Sequence, residues 1–100
     1  MKKSAFNITV RGDKKDETKV ETVNGLTSKY FGIHKVDGSY IVTHLSTGMS
    51  IRQCISLMSH ARKIVNGLES GSFPILWAET DIRVLYANIE PAREVVFAIH

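Results

Sequence analysis

The sequence predicts an α+β fold, a small antiparallel sheet of three to five strands packed against two or three helices. Three observations point there. Short runs that alternate apolar and polar residues fill the first half of the chain. Turn dipeptides separate them, and an amphipathic stripe at helical spacing follows. The 100 residues are expected to form one domain, 1–100, with 43% hydrophobic and 23% charged side chains, a globular rather than a disordered balance.

The first strand is read at Ala5–Arg11, where Phe6, Ile8 and Val10 share one face and Asn7, Thr9 and Arg11 the other. Residues 12–18 carry no apolar side chain and read as a solvated loop. Lys19–Val23 reads as a second strand, and Asn24-Gly25 as a turn signal. The next two strands, Tyr30–Lys35 and Tyr40–Leu45, flank Val36-Asp37-Gly38. A two-residue loop at Asp37-Gly38 would group Phe31 and Ile33 with Val42 and His44. A three-residue loop would group Phe31, Ile33, Ile41, Thr43 and Leu45. The second gives the cleaner apolar face and is preferred; it turns Tyr30, His34, Tyr40 and His44 outward together.

After Leu45 two readings compete. In the favoured one Ser46-Thr47-Gly48 is a turn, Met49, Ile51 and Ile55 belong to another strand, and Ser56 caps a helix from Leu57. In the other, Ser50 caps a helix that begins at Ile51, with Gln53 completing a capping box. Either way Leu57, Met58, Ala61, Ile64, Val65 and Leu68 form a helical stripe, and Gly67 is expected to end the helix. Residues 73–78, with Pro74 and Trp77, read as a short extended edge piece. Thr80 reads as the cap of a helix through Asn88 with Ile82, Leu85, Tyr86 and Ile89 on one side. Pro91 suits the first turn of a terminal helix that would present Val95, Val96 and Ile99 to the core.

The net charge is +3 and the pI about 9.2. Residues 1–68 hold eleven Lys/Arg and five Asp/Glu (11 − 5 = +6), and residues 69–100 hold two and five (2 − 5 = −3). This asymmetry suits a nucleic-acid face, a polar protein surface, or two ends that attract one another. The single cysteine, Cys54, has no disulfide partner within the chain and fits a reducing compartment. No apolar run approaches the roughly 20 residues of a membrane helix, and the Met1–Asn7 start lacks a signal-peptide core. The expectation is a cytoplasmic protein that does not enter membranes, as monomer or homodimer.

No catalytic signature emerges. His34, His44, His60 and Cys54 lack metal-ligand spacing, and surface histidines are the plainer reading. Cys54 lies in an apolar pattern, as buried structural cysteines do. The expectation is no enzyme, no metal and no cofactor. The outer face, Tyr30, His34, Tyr40 and His44 with Lys35 close by, reads as an aromatic, cationic platform for a partner, against the plainer alternative that a C-terminal helix covers it. The polar helix face of Arg52, Ser56, Ser59, Arg62, Lys63 and Asn66 offers Arg62 and Lys63 as further contacts. The Trp77–Tyr86 region reads as a core anchor or as a hot spot for a partner.

The stretch Ile41–Gly48, with the short apolar strand and the Ala61-Arg62 helix after it, resembles small phage and prophage accessory proteins, anti-CRISPR-type inhibitors among them. That resemblance implies a small non-enzymatic binding protein, a phage-encoded inhibitor that occludes a surface of a host protein or nucleoprotein complex. The alternative is a nucleic-acid-binding module or regulator, which the basic first two-thirds favour.

Overall fold

A computed structural model describes residues 1–11, 18–70 and 77–97. Five strands come first: β1 (Lys2–Arg11), β2 (Thr18–Thr27), β3 (Phe31–Val36), β4 (Ser39–His44) and β5 (Ser50–Ile55). Three helices follow among the described residues: α1 (Met58–Ser70), α2 (Ile82–Asn88) and α3 (Glu90–Phe97). The strands make one antiparallel sheet in chain order, β1-β2-β3-β4-β5, so the architecture is α+β with the expected meander. The loop expected at 12–18 (save Thr18, which opens β2), the piece at 73–76 and the side chains of Tyr86, Val95 and Ile99 lie outside the described residues.

The β3–β4 hairpin takes the register that the sequence reading set aside. Val36 pairs with Ser39, Lys35 with Tyr40, Ile33 with Val42 and Phe31 with His44. The loop is the two residues Asp37 and Gly38, with φ of 50° and 81°. Both dihedrals are positive, as a type I′ turn requires, and Asp-Gly is among the pairs that tolerate it. The expected outward grouping therefore splits. Phe31, Ile33, Tyr40, Val42 and His44 face one way, and Gly32, His34, Ile41 and Thr43 face the other. The apolar-count argument failed because both faces of this hairpin are covered.

The helices cover the first face. Ala61, Ile64, Val65 and Leu68 of α1 recur at helical spacing and are buried against Phe31, Ile33 and Val42. Each such side chain contributes about 1.5–3 kcal/mol when fully removed from water. The Leu57 carbonyl accepts from Ala61 N–H at 3.2 Å and opens α1, as the strand-then-helix reading expects to within one residue. Gly67 does not end α1; the helix continues to Ser70, because Leu68 is buried and Glu69 is anchored by the sheet. Asp81, rather than Thr80, caps α2, its carboxylate accepting from Arg83 N–H at 2.9 Å. Leu85, Ala92 and Val96 carry α2 and α3 into the same core.

The sheet itself covers the second face. β2 pairs with β1 along ten residues but with β3 only at Leu26↔Ile33 and Thr27↔Gly32. Beyond that junction the β1–β2 ribbon rolls back over β3 and β4. The Phe6 ring lies on Gly32 and meets the His34 ring edge-on, centroids 5.8 Å apart. Thr9 N–H donates to the Gly48 carbonyl at 2.8 Å and its hydroxyl to the Thr47 carbonyl at 3.0 Å. Asn24-Gly25 is consequently no turn but lies inside β2. A Cβ at Gly25 would stand 2.1 Å from the Ile33 carbonyl oxygen, so glycine there permits the close backbone approach at the junction.

Candidate functional site

His44 is fully buried on the helix side, and both ring nitrogens are engaged. Nε2 lies 2.6 Å from the Trp77 carbonyl oxygen, which can only accept, so Nε2 carries the proton and donates. Nδ1 then accepts from the Thr47 hydroxyl at 2.9 Å, and that hydroxyl oxygen accepts from Met49 N–H at 3.3 Å. Burial lowers the His44 pKa below its usual range, against a smaller opposite effect of the bond to Trp77. The ring is a neutral clasp between the β4–β5 turn and Trp77. It is not available to a partner, which corrects its expected place on an outer platform.

Trp77 is the core anchor of the two readings offered for it. It is fully buried, its ring 4.9 Å from that of Phe31, and its Nε1–H donates to the Leu68 carbonyl at 3.1 Å. That bond satisfies one of the last carbonyls of α1, which have no partner within the helix.

His34 lies on the opposite face, beneath β1, and is 6% exposed. Its burial also lowers the pKa, and its Nδ1 has no hydrogen-bond partner. Beside it is a half-open chamber of about 100 Å³ between β1 and strands β3–β5.

The other expected contact residues lie on α1 and on the strands and turn beside it. The Glu69 carboxylate bonds the Ser28 hydroxyl and accepts from Tyr30 N–H at 2.7 Å, which fixes the C-terminal end of α1 beside the β2–β3 turn. Arg62 precedes Glu69 by seven residues, so at 100° per residue the two point within about 20° of each other. Arg62 therefore lies on this β3 side of the helix, exposed, and Lys63 is exposed about 100° further round. At the Tyr30 end, Lys29 Nζ lies 5.2 Å from the ring centroid. Tyr40 pairs with Ile55, three residues before α1 begins, and Lys35 Nζ lies 5.8 Å from its ring. Both tyrosines are half-buried against the core, and both lysines are exposed. Lys29–Tyr30 thus stands near the C-terminal end of α1 and Lys35–Tyr40 near the strand that leads into it. Arg52, grouped with the helix face in the sequence reading, belongs instead to β5, where its guanidinium donates to the Val96 carbonyl at 2.6 Å.

Sequence reasoning missed Glu69, which lies beyond the helix end expected at Gly67. Phe6 over His34 was equally hidden, since nothing local announces that β1 folds back. Cys54 is exposed rather than buried. It sits in the left-handed region (φ 59°) where β5 carries an extra residue opposite Tyr40 and Val42. Among the described residues no group of three or more His, Cys, Asp and Glu side chains is placed to hold a metal, and no helix is long and apolar enough to cross a membrane. Comparison of the chain with protein-family models, with curated proteins and with solved structures gave no match.

Proposed function

We propose that this is a non-enzymatic binding protein that docks through the basic, tyrosine-bearing flank of α1 onto an acidic surface of a larger protein or nucleoprotein complex. The observation that carries the reading is the placement of Lys29–Tyr30 and Lys35–Tyr40 at the two ends of the flank that bears Arg62. Tyrosine and arginine are the residue types most enriched among interface hot spots, and a rigid helix edge presents them at little ordering cost. In its sharpest form the proposal is a phage-encoded inhibitor of the anti-CRISPR type that occludes a host effector complex. The lysine ammonium groups lie over the tyrosine rings, which favours an acidic partner over bases stacked on bare rings.

Affinity capture from bacterial lysate tests it, comparing the unaltered chain with a Lys35→Glu/Arg62→Glu variant. A protein or nucleoprotein complex retained by the first and lost by the second is the expected result. Retention that disappears on nuclease treatment and falls steeply between 50 and 200 mM salt (roughly 10³-fold or more for six phosphate contacts) favours the nucleic-acid module instead. No retained partner, or equal retention by both chains, defeats the docking proposal.

A further inference from the structure

The sheet has two edge strands, β1 and β5, and they end differently. β5 is interrupted at Cys54, and its Arg52 is bonded to the Val96 carbonyl of α3. A bulged, side-chain-covered edge resists a further strand. β1 instead keeps an unbroken register with β2 from Lys2 to Arg11. In such a ladder the N–H and C=O of one residue point to the same side, and the side alternates along the strand. Thr9 N–H points away from β2, because it donates to the Gly48 carbonyl at 2.8 Å. Lys3, Ala5 and Asn7 share its parity, so their backbone groups point away from β2 as well. All three residues are exposed. Among the described residues no acceptor meets their N–H groups, and of their carbonyls only that of Ala5 is engaged, by the Ser4 hydroxyl at 3.2 Å. The β4–β5 turn thus closes this edge at Thr9, and from Asn7 back to Lys3 it stands open.

We propose that the Lys3–Asn7 edge of β1 receives an extended acidic segment of a partner protein as an added antiparallel strand. In that pairing Lys3, Ala5 and Asn7 each exchange two backbone hydrogen bonds with the residue opposite. The charge of the strand selects the occupant. β1 carries Lys2, Lys3 and Arg11 and no acidic residue, and Lys2 and Lys3 are both exposed. Opposite charges across a ladder attract and like charges repel, so carboxylates opposite the two lysines complete the match. A second copy of this chain is the poorer occupant. It brings the same lysines, and a five-residue ladder of about 17 Å covers far less than the roughly 1,200 Å² a stable pair of copies needs. Neither Lys2 nor any residue from Lys3 to Asn7 belongs to the surface proposed around α1, so the two surfaces can fail separately.

The test is a ¹H–¹⁵N NMR titration of the whole chain with two capped peptides, TVTVEE and its charge-reversed counterpart TVTVKK. The expected result with TVTVEE is saturable shifts and slowed solvent exchange of the Lys3, Ala5 and Asn7 amides, with binding roughly tenfold weaker for TVTVKK. Ala5→Pro removes an N–H that β2 does not use, so the sheet persists and the TVTVEE response is lost. Lys2→Glu/Lys3→Glu reverses the preference between the two peptides. No saturable response to TVTVEE, equal binding of both peptides, or undiminished binding by a folded Ala5→Pro chain overturns the proposal. So does a concentration-dependent dimer, seen by sedimentation, that protects the same three amides without peptide, because the edge then belongs to a second copy. Should Ala5→Pro fail to fold, the charge-reversed variant decides.

Discussion

His34 and His44 lie on paired strands, ten residues apart, and both are buried, yet the two environments are opposites. His44 has a partner on each nitrogen and joins a turn to the core. His34 has an aromatic edge on one side, an unbonded Nδ1 and open space beside it. The difference teaches that burial alone does not give a histidine its role. A satisfied imidazole ties elements together, and an unsatisfied one is a cost that the fold carries.

The strongest way to test the architectural half is to remove what His44 holds. Trp77→Ala deletes the largest fully buried side chain and the bond that terminates α1, and it disturbs the segment whose carbonyl His44 grips. The expected loss is about 3–5 kcal/mol, read from urea unfolding. A loss below about 1 kcal/mol would mean that the Phe31–His44–Trp77 cluster is not the centre of the core.

The comparison itself is sharpened by making the same substitution at both histidines. His44→Leu leaves the Trp77 carbonyl and the Thr47 hydroxyl without their partner, at an expected cost of about 2–4 kcal/mol. His34→Leu removes an atom that had no partner, and its expected effect is within about 1 kcal/mol of zero. Unfolding midpoints of the two variants side by side settle the ranking, and equal losses would erase the distinction. The pH dependence follows with its sign. Both folded pKa values are depressed by desolvation, so below the unfolded value of 6.5 the unfolded chain binds more protons. The stability held above 6.5 is therefore lost as pH falls through 6.5 toward the folded values. The unaltered chain should show a lower urea midpoint at pH 5.5 than at 7.5, and His34→Leu should show a smaller drop. Protonating His44 makes Nδ1 a donor, and the Thr47 hydroxyl oxygen, which already accepts from Met49 N–H, has a second lone pair to receive it, so the cost is that of burying the charge.

What the sequence discloses here, and what it withholds, follows the range of the interactions involved. The meander, the Ala61–Leu68 part of the α1 stripe and the first-turn Pro91 of the last helix are local patterns, and they read correctly; Leu57, counted in that stripe, precedes α1 and is exposed. The faces of β3 and β4 did not, because the choice between a two-residue and a three-residue turn was made by counting apolar residues on one side. That count assumes one covered face. Here α1 covers one and β1 the other, so apolar residues occur on both and the count no longer discriminates. Tyr30, Lys35, Tyr40 and Arg62 were named from local pattern, whereas Glu69 reaching Ser28 and Tyr30 across about forty residues of chain was not foreseen. Non-local pairings of that kind leave no periodic trace.

The smallest effect concerns the turn on which the whole contrast depends. Asp37-Gly38 sets the register that puts His44 under the helices and His34 under β1. Gly38 has φ 81° with nothing within 4 Å of where a Cβ would stand, so Gly38→Ala meets no clash and is charged only with the left-handed conformation. About 1 kcal/mol is expected, with the His34 and His44 ring signals unchanged in position by NMR. Movement of both ring signals together would show instead that the alanine chain had adopted the three-residue loop. One slipped residue would then exchange the two faces of β4, turning His44 away from Trp77 and dissolving both the clasp and the chamber.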